Sequence, residues 1–306
     1  MTIKNLLEIL QCPGCNTGEL RLSSEGNILT CTSCNAIYPV TENIPSFIVQ
    51  KEDSSPVASE IHKHQGTAFD YIDHYRKDAK EYDYFAVRDN ETEHTDRRVR
   101  EYIASYITAG NGRILDTGCG KAWVSELFCP KGYTVVSMDI SVENTSRALK
   151  KFPFPNHAAV VGDAYALPFK ENSFDYIIAS EVIEHVVNPG IFIQKLFRVL
   201  KPGGILLITT PYKEKLAWSL CIHCNRPTPF NAHLHSFDEH KLQSLYSGKD
   251  LKKFEYRTFG NKILIHLRMH HILKYLNFRI WKAIDKFVNL VYNAPIRILI
   301  RWEKRL

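Results

Sequence analysis

The feature that most constrains the fold is a glycine turn between a strand and a helix. Residues 113–128 read R-I-L-D-T-G-C-G-K-A-W-V-S-E-L-F: a short apolar strand ends at Asp116, a Gly-Cys-Gly turn follows, and apolar side chains then recur at helical spacing. Glycine is needed where a backbone turns sharply and approaches a ligand closely, because a Cβ atom would collide there. Several nucleotide-binding folds share such a turn, so it indicates an α/β domain without identifying the ligand.

Four further segments follow this turn in an order that indicates a single site. Two are apolar strands that lead into an acid, Asp139 and Asp163, and a third runs into the acidic segment 181–185. The fourth is a strand that comes after the Pro-Gly-Gly turn at 202–204. A carboxylate about 20 residues after a glycine turn suits a ribose, because it can accept both hydroxyl protons.

These five elements, in this order, resemble the class I S-adenosylmethionine (SAM)-dependent methyltransferases over residues 96–211. The resemblance implies an α/β fold with a seven-stranded Rossmann-like methyltransferase sheet and a helical insertion between strands six and seven. It places Asp116 at the amino-acid end of SAM, Asp139 at the ribose and Asp163 at the adenine amino group. The residues that it implies for SAM binding are Asp116, Gly118, Gly120, Asp139, Ile140, Asp163, Ala164 and Glu181.

The sequence departs from this family at one position. The usual third glycine of the turn is Ala122, from which we expect a slightly shifted helix and an intact site. The alternative fold is a dinucleotide-binding Rossmann domain, in which the segments around Asp163 and Glu181 would have no role.

Two C-x-x-C pairs, separated by 15 residues, indicate a metal site near the start of the chain. Four thiolates at this spacing suit a closed tetrahedral zinc, which would supply folding energy to a segment too short to build its own core. Disulfides are the alternative. The predicted ligands are Cys12, Cys15, Cys31 and Cys34. The flanking sequences resemble the small zinc-ribbon proteins that act as partner subunits of methyltransferases. We expect zinc to be structural, and its removal to unfold this ribbon and spare SAM binding.

Composition divides the chain into three parts. We predict a small N-terminal zinc ribbon over 1–50, a linker and helical lid over 51–95, and the methyltransferase domain over 96–306 with its helical insertion at 262–293. The lid prediction depends on Tyr71, Tyr75 and Tyr82, whose spacing places them on one helix face. Similar segments in the family fold over SAM; simple packing onto the domain is the alternative. Ser236, followed by Glu239, fits a capping box at the start of a later helix.

The E-V-I-E-H segment at 181–185 follows strand four, where the acceptor meets the methyl group in this fold. It resembles a metal site in certain ubiquinone-biosynthesis O-methyltransferases and in enzymes that 2′-O-methylate the 3′ ends of small RNAs. The latter add a histidine two residues before a phenylalanine, as His235 stands before Phe237, with His233 close by. The residues predicted for catalysis are Glu184, His185 and His235. With Glu181 they would bind Mg²⁺, Mn²⁺ or Fe²⁺; a metal-free base and purely structural roles are the alternatives.

A second zinc site formed by Cys221 and Cys224 with His233 and His235 is a weaker alternative, because the spacing is irregular. Ordinary buried thiols are favoured over it.

The net charge of +6 is concentrated at one end of the chain. Residues 249–306 contain 14 Lys and Arg against 4 Asp and Glu, whereas the remainder is net acidic. An anionic partner would therefore meet this segment, and we expect a peripheral membrane or other anionic-surface contact there. Nucleic acid is a less favoured partner, because no known RNA-binding module is present.

The absence of an 18-residue apolar run and of a signal-peptide pattern predicts a cytoplasmic protein, with the membrane surface as a secondary location. The favoured function is SAM-dependent O-methylation of a small-molecule, glycan or lipid-linked hydroxyl. The alternative is an RNA or protein methyltransferase, including metal-assisted ribose 2′-O-methylation. A non-catalytic SAM-binding scaffold is the third reading.

Overall fold

The structure, a computed structural model, describes residues 3–48, 71–108, 110–220 and 227–306. An N-terminal helix and a small antiparallel sheet come first. They are α1 (Ile3–Leu7), β1 (Leu20–Leu22), β2 (Ile28–Cys31), β3 (Ile37–Thr41) and β4 (Ile44–Pro45). This is the predicted ribbon, with the two cysteine pairs flanking β1 and β2.

A seven-stranded mixed sheet forms the centre of the protein. Its strands are β5 (Arg113–Thr117), β6 (Thr134–Asp139), β7 (His157–Val161), β8 (Phe174–Ser180), β9 (Leu200–Pro211), β12 (Leu251–Asn261) and β13 (Pro295–Lys304). Their order is β12-β13-β9-β8-β5-β6-β7, and β13 runs antiparallel to both of its neighbours. A separate pair, β10 (Trp218–Leu220) and β11 (Pro227–Pro229), lies outside this sheet. The predicted fold class is confirmed.

Helices cover the sheet and fill the connection between its last two strands. They are α2 (Tyr71–Glu81), α3 (Asn90–Ala104), α4 (Trp123–Phe128), α5 (Val142–Lys151), α6 (Pro189–Val199), α7 (Glu239–Ser244), α8 (Lys262–His266), α9 (His270–Leu273) and α10 (Phe278–Val291). The last three form the predicted helical insertion. Within the described ranges, no helix is long and apolar enough to cross a membrane.

One helix start differs from the prediction. Asp238, and not Ser236, caps α7: its side chain accepts a hydrogen bond from the backbone N–H of Lys241 at 2.8 Å. Asp238 lies directly before the first helical residue, so its carboxylate can accept from an N–H group of the first turn that has no partner within the helix. Ser236 lies two residues further from the helix than this capping position.

The sheet brings the predicted acids together because its central strands are parallel. β5, β6 and β7 pair in parallel, and nearly all of their residues are buried, as expected for strands covered by helices on both faces. The carboxyl ends of parallel strands meet at one edge, where ligands bind in such folds. Asp116, Asp139 and Asp163 therefore lie at this edge, each at or just beyond the end of its strand.

The ribbon is joined to the large sheet along β7. Ser46 pairs with Val161 in parallel, and the N–H of Phe47 donates to the carbonyl of Val161 at 2.8 Å. On the next segment, the N–H of Lys170 donates to the carbonyl of Ile9 at 2.8 Å. Buried side chains of the ribbon and of the large sheet belong to one continuous hydrophobic core.

This shared core changes one expectation. The ribbon is not an independent unit, so loss of zinc should affect the methyltransferase part as well. The linker within 51–70 lies outside the described residues, and the domain limits stay predictions.

Candidate functional site

The glycine turn after β5 has the backbone geometry that only glycine adopts without strain. Gly118 and Gly120 have φ of +70° and +44°. A Cβ atom on Gly118 would lie 2.7 Å from Val182 Cγ2. Ala122 also has a positive φ, +55°, and is fully buried, so this residue adopts the conformation that favours glycine although it carries a methyl group. Helix α4 begins at the next residue, and the turn is retained.

Asp116 is a buried carboxylate with a free oxygen. It is 2% exposed, and its Oδ2 has no hydrogen-bond partner among the described residues. Burial raises the pKa of Asp116 well above its usual range, and the charge of Asp139 adds to this effect. Buried polar atoms are almost always paired, so a free carboxylate oxygen here fits a bound donor such as the ammonium group of SAM.

Asp139 is fixed by the backbone of the same turn. Its carboxylate accepts hydrogen bonds from the N–H groups of Gly120 at 3.1 Å and Ser141 at 3.0 Å. Burial raises the pKa of Asp139. The carboxylate is thereby oriented toward the turn where a ribose would lie, and Ile140 packs beside it as a partly buried side chain.

Helix α2, which lies in the segment predicted as a lid, reaches this site through its tyrosines. The hydroxyl of Tyr71 donates to Asp163 at 2.6 Å, and the N–H of Tyr165 donates to the other oxygen of that carboxylate at 2.9 Å. The rings of Tyr75 and His185 lie edge to face, with their centroids 5.7 Å apart. Tyr82 lies beyond the last helical residue and is 47% exposed. Two of the three predicted tyrosines therefore face the site. Ala164 packs against the core next to Asp163.

Beyond β8, a carboxylate and two imidazoles converge. Glu184, His185 and His233 each offer one ligand atom, and these atoms all lie within 4.8 Å of one another. Nδ1–H of His185 donates to the carbonyl of Ala232 at 3.2 Å, and Nδ1–H of His233 donates to Glu214 at 2.5 Å. Metal-binding histidines are typically oriented in this way, by an acceptor on the other ring nitrogen. This leaves Nε2 of each ring for a ligand.

Burial sets the protonation states in this cluster. It lowers the pKa of His185 to about 4, with His233 adding to the effect, so the imidazole is neutral at pH 7. It raises the pKa of Glu184 well above its usual range, and the charge of Glu181 adds to that. Glu184 is 1% exposed and accepts a hydrogen bond from Thr210 at 3.1 Å. A buried acid beside the neutral imidazole of His185 suits either a bound cation or proton transfer.

His235 does not join this cluster. Its Nε2–H donates to the carbonyls of Val186 at 3.0 Å and Val187 at 3.3 Å. The N–H groups of Leu234 and His235 both donate to the carbonyl of Glu184, which holds the segment against this loop. This arrangement leaves His233 as the second histidine of the cluster, whereas the side chain of His235 holds the loop.

Glu181 is likewise engaged elsewhere. It has a φ of +56°, and its carboxylate lies 2.8 Å from the guanidinium of Arg297 on β13. The sequence prediction did not include Arg297, Glu214 or, as a cluster member, His233. No local pattern marks the first two, because each is a single charged residue brought in from a distant segment. Cys221 and Cys224 lie outside the described residues.

The four ribbon cysteines are arranged as zinc ligands. Cys12 and Cys34 have their sulfurs 3.6 Å apart, as do Cys15 and Cys31. Zinc–sulfur bonds of roughly 2.3 Å in a tetrahedron place the sulfurs about 3.8 Å apart, whereas a disulfide requires about 2 Å. The N–H of Gly18 points at the Cys15 sulfur, at 3.3 Å. The residues present therefore fit a structural zinc.

Comparison with known protein families agrees with this geometry. Residues 115–208 match the family described as a methyltransferase domain, and residues 4–43 match the family described as Trm112p-like protein. Residues 115–208 therefore carry a methyltransferase domain and residues 4–43 a Trm112p-like domain, and the resemblance inferred from the sequence is confirmed for both parts.

Individual relatives match only the central part. A malonyl-[acyl-carrier protein] O-methyltransferase of Erwinia billingiae is 32% identical over 44% of this chain and 57% of its own length. A mitochondrial ubiquinone biosynthesis O-methyltransferase of Mus musculus is 37% identical over 36% of this chain and 31% of its own length. The chain thus spans little more than half of the length of the first relative and less than a third of the length of the second.

A solved structure extends the likeness in fold. It is a chain of a complex that contains the Haloferax volcanii Trm112 methyltransferase activator, aligned over 78% of this chain and 100% of its own length, with a TM-score of 0.51 and 16% identity. At this identity the likeness concerns the fold alone.

Proposed function

We propose that this protein is a SAM-dependent O-methyltransferase whose acceptor is a hydroxyl group of a small molecule, a glycan or a lipid-linked compound. One observation carries the proposal: the predicted SAM residues and the Glu184–His185–His233 cluster lie at the same sheet edge, and helix α2 contacts both groups. Two relatives named as O-methyltransferases support it. A cytoplasmic location belongs to the same proposal.

The chain's own residues would position the two reactants. The sulfonium of SAM is already activated, so catalysis depends on alignment and on exclusion of water. Asp116 would accept from the ammonium group, Asp139 from the ribose hydroxyls and Asp163 from the adenine amino group. Helix α2 covers the site, because Tyr71 contacts Asp163 and Tyr75 contacts His185.

The acceptor hydroxyl must also lose its proton as the carbon–oxygen bond forms. His185 is neutral at pH 7 and has Nδ1 engaged by the Ala232 carbonyl, so Nε2 can take that proton. A divalent metal bound by Glu184, His185 and His233 would instead lower the pKa of the hydroxyl itself. Such a set suits Mg²⁺, Mn²⁺ or Fe²⁺ and leaves open positions for acceptor oxygens.

The two mechanisms differ in what His233 does. If a metal is bound, His233→Ala should abolish Mn²⁺ binding measured by calorimetry, and His235→Ala should leave it unchanged, because His235 bonds to Val186 and Val187 instead. Absence of Mn²⁺ binding by the unaltered, zinc-loaded protein would favour His185 as a metal-free base.

The reaction itself can be tested with isotope-labelled SAM. We expect label to move to a hydroxylated acceptor from a panel of phenols, sugars, lipid-linked polyols and RNA, and we expect Asp139→Ala to prevent the transfer. Transfer to nitrogen or to protein side chains only would contradict the proposal. Binding of SAM without transfer to any acceptor class would favour the scaffold reading.

Metal-assisted ribose 2′-O-methylation of RNA is the second candidate. The observation that favours it is the three-ligand cluster, whose open positions could take both oxygens of a vicinal diol. Mn²⁺-dependent labelling of RNA 3′ ends, lost in His233→Ala and after periodate oxidation of the diol, would select this candidate.

A further inference from the structure

Helix α10 in the insertion between β12 and β13 is held firmly by its inner face. Trp281 and Asp285 are 3% and 1% exposed. The guanidinium of Arg98 lies over the Trp281 ring, 4.8 Å from its centroid, and Asp285 accepts a hydrogen bond from the N–H of Gly260 at 3.2 Å. These contacts fix which side of the helix faces outward.

The outward side is apolar, which is unusual for a helix already anchored on its inner side. Ile280, Phe287, Leu290 and Val291 are 49%, 65%, 83% and 73% exposed. Their spacing of seven, three and one places them on one stripe, which runs about 16 Å along the helix at 1.5 Å per residue. We refer to these four residues, with Arg279 and Lys286, as the outer stripe. Contiguous exposed apolar surface on a folded protein usually marks an interaction site.

The exposed charges of the insertion that carries the outer stripe are all positive. Residues 262–293 contain six Lys and Arg and a single acid, Asp285, which is buried on the inner face. Arg279 and Lys286 are exposed among the apolar side chains. Across the described ranges, no carboxylate forms an ion pair with either of them. The surface that covers this stripe should therefore be both apolar and anionic.

We propose that the outer stripe docks on an anionic lipid bilayer. The helix lies in the plane of the interface, with Phe287 and Leu290 among the acyl chains and Arg279 and Lys286 at the headgroups, as amphipathic interfacial helices do. A second copy of the chain is a poorer occupant. A two-fold contact pairs a patch with itself, so it would bring the unpaired cations of one stripe against those of the other.

The helix that would dock also adjoins the proposed site. The cavity beneath α10 is lined by Trp281 and Asp285 from the helix and also by Arg297, whose guanidinium pairs with Glu181 at the proposed site. A lipid-linked acceptor would then reach the site from the surface to which α10 is bound. This second step rests on the proposed function, whereas membrane docking does not.

The test is flotation of the full, zinc-loaded chain with vesicles of phosphatidylcholine alone or mixed with phosphatidylglycerol. We expect binding only to the anionic vesicles, weakened when NaCl is raised from about 0.1 M to about 0.5 M. The double variant Phe287→Asp/Leu290→Asp should lower the partition coefficient at least about tenfold, because two apolar side chains are lost from the interface. Ile37→Asp, at a ribbon residue 66% exposed, is the matched control and should bind as the unaltered chain does.

Three outcomes would overturn the proposal: no binding to anionic vesicles, equal binding by the double variant and the unaltered chain, or a dimer in solution that the double variant converts to monomer. The last would assign the stripe to a second copy. Calorimetric SAM binding, measured on each variant without vesicles, separates the two proposals. It should be unchanged in the double variant, so a loss of docking with intact SAM binding concerns the stripe alone.

Discussion

Removal of zinc should destabilise the whole protein and weaken SAM binding, and not merely unfold the ribbon. The perturbation is chelation, or Cys31→Ser, which removes one of the four sulfurs of the cluster. The reason is the junction at β7: this strand pairs with Ser46 of the ribbon and leads directly to Asp163. A ribbon that unfolds would leave β7 unpaired and the adenine end of the site unsupported.

The size of the effect follows from the contacts that would be lost. Leu10 and Phe47 are 1% and 5% exposed in the shared core, and burial of each is worth about 1.5–3 kcal/mol. Backbone hydrogen bonds join Gln11 to Pro168, Lys170 to Ile9 and Phe47 to Val161, each worth about 1 kcal/mol. The junction thus contributes about 6–9 kcal/mol, which is comparable to the typical total stability of about 5–15 kcal/mol for a protein.

The assay is differential scanning calorimetry with and without chelator, together with calorimetric titration of SAM. We expect one cooperative transition in the zinc-loaded protein, a large fall in its midpoint after chelation, and SAM affinity lowered by tenfold or more. Cys129→Ser is the matched control, because Cys129 is a buried thiol outside the zinc cluster. It should keep its zinc and its SAM affinity. If the chelated protein melts at an unchanged temperature and binds SAM normally, the coupling argument is wrong.

Three further changes test separate parts of the structure. Gly18→Ala should abolish zinc binding measured by mass spectrometry, because the new Cβ would lie 2.1 Å from the Cys31 sulfur, whereas Gly14→Ala, with its nearest atom at 3.3 Å, should retain the metal. Asp139→Ala should weaken SAM binding by about tenfold or more, since the ribose loses its acceptor; equal affinity by calorimetry would remove the cofactor assignment. Burial raises the pKa of Asp285 to about 6, above the usual value for an aspartate, so this carboxyl favours folding at low pH and loses that contribution as the pH rises through 6. Asp285→Asn should therefore gain up to about 3 kcal/mol over the unaltered chain between pH 4 and pH 7 in urea unfolding, and a pH-independent difference would contradict the burial argument.

The elements that sequence predicted well are those with local causes. Both faces of β5, β6 and β7 are buried, so each strand is a short run of apolar residues. Such a run can be recognised in the sequence without knowing which strands lie beside it. The glycine turn and the cysteine pairs are also local, since each geometry depends on residues within a few positions. The position of β13 is different. No pattern within its own residues indicates its placement between β9 and β12, antiparallel to both.

Side-chain partners were the least predictable part of the site. The family resemblance favoured His235 as a ligand, but its hydrogen bonds to two loop carbonyls hold it elsewhere, and His233 lies beside Glu184 instead. The pairing of Glu181 with Arg297 joins the residue just after β8 to a residue on β13, far apart in the chain. Such contacts depend on the path that each loop takes over the edge of the sheet. The identity of one residue in the sequence does not indicate that path.

The contact between the ribbon and β7 also bears on how the chain avoids aggregation during synthesis. An uncovered edge strand exposes a row of unpaired backbone groups, which is a template for pairing with other chains. Here the element that covers part of that edge lies more than a hundred residues earlier in the sequence, so it leaves the ribosome first. Covalent attachment also keeps its effective concentration high and independent of the amount of any separate subunit. If zinc is available to the nascent ribbon, the ribbon is therefore already folded when β7 forms and can pair with that strand at once.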